Sequence, residues 1–207
     1  MKTIKIMMMV LLYSVTGALY AQNDAVLNSL YSKMASSAVS MDYSYVLQSS
    51  GIKTMGGGTV TVQDSAYVMR GDGLLISCDG KTVWMVDQEG KEVIIETPSE
   101  GEQSYMDNPA LLFVNLSETF RVEGVKINGK VYTYVMSPKV SCGIKTATLV
   151  INSESAPTIE RAVFALADDK SLDIKIKSMT FSEKKSLTSY FYDISVLDST
   201  WLITDLR

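Results

Sequence analysis

Between Gly56 and Ile95 the chain alternates short apolar runs of strand length with punctuation at Gln63-Asp64, Gly71-Asp72-Gly73, Asp79-Gly80 and Glu89-Gly90. Asp-Gly pairs between apolar runs are hairpin signals, because tight hairpin turns need a positive φ that glycine adopts without steric cost. The stretch therefore predicts a β-meander. Its runs place apolar residues on both alternating sets of positions, as in Val83, Trp84, Met85 and Val86, so both faces of these strands are expected to be covered. A curved sheet wrapped around something apolar fits this pattern better than a flat sheet with one wet side.

Upstream, Asp24 stands at an N-cap position and Leu27, Leu30, Tyr31, Met34 and Ala38 follow at helical spacing, which predicts an amphipathic helix of about four turns. A strand is expected around Met41 to Leu47. Downstream of the meander, Thr97 to Ser104 is polar and contains Pro98 and Gly101, the composition of an exposed loop. Asn108 before Pro109 then signals the start of a short helix. Ala110, Leu111, Leu112, Phe113 and Val114 follow without a polar break, so that helix must face protein or ligand on almost every side.

Strand patterning resumes at Phe120 to Ile127, turns at Asn128-Gly129 and returns through Val131 to Met136. Lys145 to Ile151 and Ile159 to Leu166 read as further strands. Leu172, Ile174 and Ile176 alternate with Asp173, Lys175 and Lys177, a strand with one wet face. Ser182 to Ser189 reads as a charged loop, and Tyr190 to Ile194 and Trp201 to Ile203 as short terminal strands. The whole is mainly β, with about ten or eleven strands and two helical insertions.

The first residues bear on compartment. Lys2 and Lys5 precede an apolar core from Ile6 to Val15, and Leu19-Tyr20-Ala21 ends in a small residue suited to cleavage before Gln22. This is the pattern of a secretory signal peptide. A transmembrane helix fits less well, because the apolar run falls short of the roughly 20 residues needed to span a bilayer. Cleavage after Ala21 leaves residues 22–207 as a single exported domain, and the family resemblance drawn below places it in the periplasm. The leader takes two of the 19 basic residues and none of the 23 acidic ones, so the mature chain is expected to carry a net charge of −6. That balance argues against a nucleic-acid partner and against tight electrostatic docking on anionic lipid.

Candidate chemistry is sparse. The chain has no His, which removes Ser-His and Cys-His nucleophile pairs and His-based zinc sites. No phosphate-binding, dinucleotide or Cys-x-x-Cys motif is present, and neither a cofactor nor a metal is expected. Asp72, Asp79 and Asp87 are the acids of a conceivable carboxylate pair, but all three sit at turns or strand ends, where Asp bonds its own backbone. The reading is a protein that is not an enzyme. Gly56-Gly57-Gly58 lacks the following Lys-Ser and helix of a phosphate loop and reads as a strand opening or a bulge. Cys78 and Cys142 lie in a context that permits a disulfide, and the sequence leaves both a bridge and separate burial standing.

What remains is apolar surface. Methionines fall mostly in strand or helix runs, where packing is their ordinary role. The sharper reading is that Met34, Met69, Met85 and Met136, with Leu30, Tyr67, Trp84, Tyr132, Tyr134 and Phe164, line an adaptable pocket for alkyl chains.

Taken in order, the leader, the amphipathic helix, Gly58 to Val62, Ile76-Ser77-Cys78-Asp79-Gly80-Lys81-Thr82-Val83-Trp84, Asn108-Pro109-Ala110-Leu111-Leu112 and Met136-Ser137-Pro138 resemble the periplasmic outer-membrane lipoprotein carrier proteins. The resemblance covers nearly all of the mature chain. Its most specific piece is the Asp-Gly-Lys-Thr-x-Trp hairpin. It implies a half-open antiparallel β-barrel with a helical lid, and a monomer that receives the acyl chains of lipoproteins from an inner-membrane transporter and hands them to an outer-membrane acceptor. Residues 110–114 then fall on the lid, and Trp84 on the sheet. The family has Arg-Pro after the Val-x-Val strand, where the Arg bonds the closed lid; here Gln63-Asp64-Ser65 takes that place. The departure leaves an alternative, a binding or sensing module of the same fold for another lipid or glycolipid. Each buried acyl CH₂ is worth about 0.8 kcal/mol, so release requires a lid that competes with cargo for the same apolar surface.

Overall fold

The computed structural model describes residues 25–98, 116–139, 141 and 143–207. The leader, the expected lid segment 109–114 and Cys142 lie outside the described residues. A helix, α1, spans 25–36. Its Leu27 and Leu30 are buried, the inward stripe that the helical spacing predicts. Ala38, expected on the same stripe, instead opens the first strand, β1 (Ala38–Ser49). From there alternation takes over, with Val39 and Met41 buried and Tyr43, Tyr45 and Leu47 packed on the same face.

Strands β2 (Ile52–Gln63), β3 (Ala66–Gly71), β4 (Leu74–Cys78), β5 (Val83–Asp87) and β6 (Glu92–Glu96) form the meander that the turn signals predict. A four-residue helix, α2 (Leu116–Thr119), leads into β7 (Phe120–Asn128), β8 (Val131–Pro138), β9 (Ile144–Asn152), β10 (Thr158–Leu166) and β11 (Ser171–Ser182). Two 3-10 turns, Leu187–Tyr190 and Ile194–Val196, precede β12 (Leu202–Asp205). All twelve strands form one sheet in the order β12-β6-β5-β4-β3-β2-β1-β11-β10-β9-β8-β7. The half-open barrel takes the form of a long open sheet whose end strands, β12 and β7, do not meet. It is antiparallel except for β12, which runs parallel to β6.

Local chemistry accounts for the turns. Asp72 and Gly73 both hold positive φ, 52° and 81°, in the two-residue loop closed by the Gly71–Leu74 pair, as the tight hairpin turn requires. Asp79 Oδ1 accepts hydrogen bonds from the Lys81 and Thr82 backbone N–H groups at 2.9 Å, and Asp87 Oδ1 does the same for Glu89 and Gly90. These acids are turn residues. The β7–β8 loop is Gly129-Lys130 rather than Asn128-Gly129, because Asn128 already pairs with Val131 and Gly129 takes the positive φ of 60°.

Two expectations give way. The Gly56-Gly57-Gly58 run lies inside β2, where Tyr45 pairs with Gly56 and Tyr43 with Gly58. Glycine is needed there because a Cβ on Gly58 would overlap the Arg70 carbonyl oxygen, and one on Gly56 would sit 2.6 Å from the Tyr45 hydroxyl. The segment Tyr190 to Ile194 forms no strand. Ser186 and Asp193 cap the two 3-10 turns by accepting from the Thr188 and Ser195 N–H groups, and such local side-chain bonds compete with a strand ladder.

The two faces of the sheet carry separate cores. On one, α1 packs on a large cluster that runs from Val83 across the sheet to Phe120. On the other, Trp84, Val86, Val93 and Ile95 are covered by Tyr192, Ile194, Leu197 and Trp201 of the C-terminal segment. Val83 and Met85 face α1 while Trp84 and Val86 face away, which explains the unbroken apolar run in β5.

Candidate functional site

The helix-bearing face is built by alternation repeated strand after strand. Val60 and Val62 on β2, Tyr67 on β3, Cys78 on β4, Val83 on β5, Tyr132, Tyr134 and Met136 on β8, Leu149 and Ile151 on β9 and Phe164 on β10 are all buried in one cluster. Met34, Met69 and Met85 are partly buried against it, with Tyr31, Ile176, Met179 and Phe181. Aromatic rings fix its interior. Tyr132 and Tyr134 stack with centroids 6.3 Å apart, and Phe120 lies 6.2 Å from Phe164.

Of the residues proposed for the pocket, Leu30, Met34, Tyr67, Met69, Met85, Tyr132, Tyr134, Met136 and Phe164 thus gather on one face. Ala110, Leu111, Leu112 and Phe113 lie outside the described residues. Trp84 is on the opposite face. It is 3% exposed, and its indole meets the Phe191 ring edge-on at 5.1 Å, so it anchors the C-terminal segment and lines nothing on the α1 side. Cys78 is a free, buried thiol whose Sγ accepts from the Gly80 N–H at 3.3 Å. Burial pushes its ionisation up, which makes it an inert packing residue.

The electrostatics of this face are those of a neutral surface. The described buried polar side chains are Ser37, Gln63, Ser77, Thr82 and Thr119, with no Lys, Arg, Asp or Glu among them. Tyr43, at the margin, has its ionisation pushed up to about 12, first by burial and then by Tyr45 and Asp72. Tyr45 donates to Asp72 Oδ2 at 3.0 Å. Among the described residues no group of three His, Cys, Asp or Glu side chains could hold a metal. An extended, uncharged, Met- and aromatic-rich surface is suited to alkyl chains.

At one margin stands Gln63, in the Gln63-Asp64-Ser65 stretch where the resemblance leads one to expect Arg-Pro. It is 3% exposed, its Nε2 donates to the Lys185 carbonyl and its Oε1 accepts from the Lys185 N–H, both at 2.7 Å. Asp64 pairs with Lys184 beside it. The sequence marks Gln63 only as a departure. Its partner lies 122 positions away, and no local spacing announces it.

The family model described as outer membrane lipoprotein carrier protein LolA matches residues 70–190, more than half of the chain. The chain belongs to this LolA family. No curated protein matches it. Among solved structures, an uncharacterized conserved protein from Thermus thermophilus is similar at 12% identity and a TM-score of 0.54, covering 88% of this chain and 98% of that one. A LolA superfamily protein from Nitrosomonas europaea is similar at 9% identity and a TM-score of 0.44, covering 80% and 97%. The lipoprotein LppX of Mycobacterium tuberculosis is similar at 12% identity and a TM-score of 0.39, covering 83% and 98%. At such identities the first of these speaks for the fold alone. Membership of the family carries a general role in binding lipoproteins or lipids. No helix among the described residues is long and apolar enough to cross a membrane.

Proposed function

We propose that the protein is a periplasmic carrier that takes up the acyl chains of lipoproteins on the α1-bearing face of its sheet. Cargo comes from a lipoprotein-releasing transporter of the inner membrane and passes to an acceptor at the outer membrane. The observation that carries this reading is the continuous apolar face from β5 to β7, on which α1 and Leu116 of α2 pack. Family membership supports it. Burying about ten CH₂ groups per chain at about 0.8 kcal/mol each would hold cargo too tightly for hand-over. The segment 110–114 acts as the competing lid, so Leu112→Glu weakens cargo retention while the fold survives.

The test is to incubate the purified mature protein with inner membranes and a lipoprotein-releasing transporter, and to identify the lipids and proteins it retains by mass spectrometry. Recovery of acylated lipoprotein supports the reading. A second reading, carriage of another lipid or a glycolipid, is favoured by Gln63, whose clamp on Lys185 leaves no latch of the family kind at that position. Recovery of a non-protein lipid alone would select it.

A further inference from the structure

Tyrosines at the margin of a core ordinarily keep the ring inside and the hydroxyl in water. Tyr31 is inverted. The residue as a whole is partly exposed, yet its hydroxyl oxygen is inaccessible to solvent and has no hydrogen-bond partner. It is the only such side-chain atom among the described residues. The ring packs from α1 against the large cluster, and its hydroxyl is close enough to Tyr134 to feel that phenol electrostatically. An unmade hydrogen bond at a buried hydroxyl is costly, and the chain could have avoided it with Phe at this position.

We infer that the Tyr31 hydroxyl is a polar anchor for cargo, donating a hydrogen bond to an acyl carbonyl of the bound lipid. The inference rests on the lipid-carrier reading above and deepens it, since it names which atom of the cargo the site recognises. Two features select a neutral carbonyl. Burial, with Tyr134 adding to it, drives the phenol's ionisation far up, so the group is a donor at every physiological pH. The described residues offer no buried Lys or Arg, so an ionised carboxylate or phosphate placed beside Tyr31 would lack a counter-charge. An ester or amide carbonyl accepts the bond without one. It also lies where a polar headgroup joins its chains, which fixes how deep the alkyl tails enter.

The experiment uses the mature protein, its Tyr31→Phe variant and two synthetic lipopeptides with free N-termini and equal chains, one ester-linked and one ether-linked. Wild type is expected to bind the ester form about tenfold more tightly, the worth of one hydrogen bond whose donor is otherwise unpaired. Tyr31→Phe is expected to bind both forms alike, at the level of the ether. Without lipid, it should unfold at the same or a higher temperature than wild type, because the substitution removes an unpaired donor. An N-acylated ether lipopeptide that regains the tight binding assigns the bond to an amide carbonyl.

An ester preference that survives Tyr31→Phe, or a clear loss of stability in the empty variant, overturns the role of Tyr31 and leaves the carrier reading intact. Failure of wild type to bind either lipopeptide overturns the carrier reading itself.

Discussion

Gln63 and Lys185 hold each other across 122 positions of sequence by two hydrogen bonds of 2.7 Å, side-chain amide to backbone amide. The pair satisfies a buried Gln and ties the start of the C-terminal segment to the β2–β3 turn. Gln63→Glu puts a carboxylate oxygen against the Lys185 carbonyl, and Gln63→Leu leaves both Lys185 groups unmet. Each is expected to cost about 1–3 kcal/mol, read from the midpoint of urea unfolding. A cost within experimental error would show that the clamp is replaced by water.

Trp84 and Met85 are neighbours in sequence that serve opposite faces. Trp84→Ala is expected to destabilise by about 3–5 kcal/mol, with the losses concentrated in protection of residues 187–205 against hydrogen exchange. Cargo affinity of the folded fraction stays within twofold. Met85→Glu, on the α1 side, is expected to lower cargo affinity by at least tenfold at a smaller cost in stability. The reverse pattern would place the cargo on the other face.

Gly58→Ala should be the most damaging change in the glycine run. The new methyl would overlap the Arg70 carbonyl oxygen of the neighbouring strand, and backbone cannot step aside as a side chain can. A loss of about 1–3 kcal/mol is expected, seen as a lowered unfolding temperature. Gly73→Ala, with open space around it but a φ of 81°, tests strain alone.

Alkaline pH should unfold the protein through its tyrosines. Tyr43 ionises at about 12 when folded against 10.0 in its ordinary state, and Tyr31 is raised as well. Over that interval the unfolded chain has lost protons that the folded chain retains, so stability is fully present below pH 10 and falls as pH rises toward 12. Phenolate absorbance and circular dichroism followed together should show Tyr43 titrating with unfolding. Titration near pH 10 in a folded protein would contradict its burial.

Much of this was legible in the chain. The Asp72-Gly73 and Asp79-Gly80 turns need particular residues at particular φ, and the run Val83 to Val86 announces a strand covered twice. Which face each residue serves was not legible, because β5 is apolar on both and only the cover tells Trp84 from Met85. Tyr31 reads as one more member of a helical stripe. Nothing in a one-dimensional pattern distinguishes a phenol whose tip is wet from one whose tip is buried. Tyr190 to Ile194 reads as a strand, yet Ser186 and Asp193 bend the chain at either end of it by bonds to their own neighbours.

The parallel pairing of β12 with β6 has a consequence for the order of events. Leu202 lies beside Glu92, 110 positions earlier, and loops of such length close slowly because their entropy must be spent before any contact repays it. The seam that completes the sheet is made by residues that must fold back across more than half of the chain. Until residues 192–205 have folded back, the outer edge of β6 is therefore bare and Trp84 uncovered, and one docking event shields both.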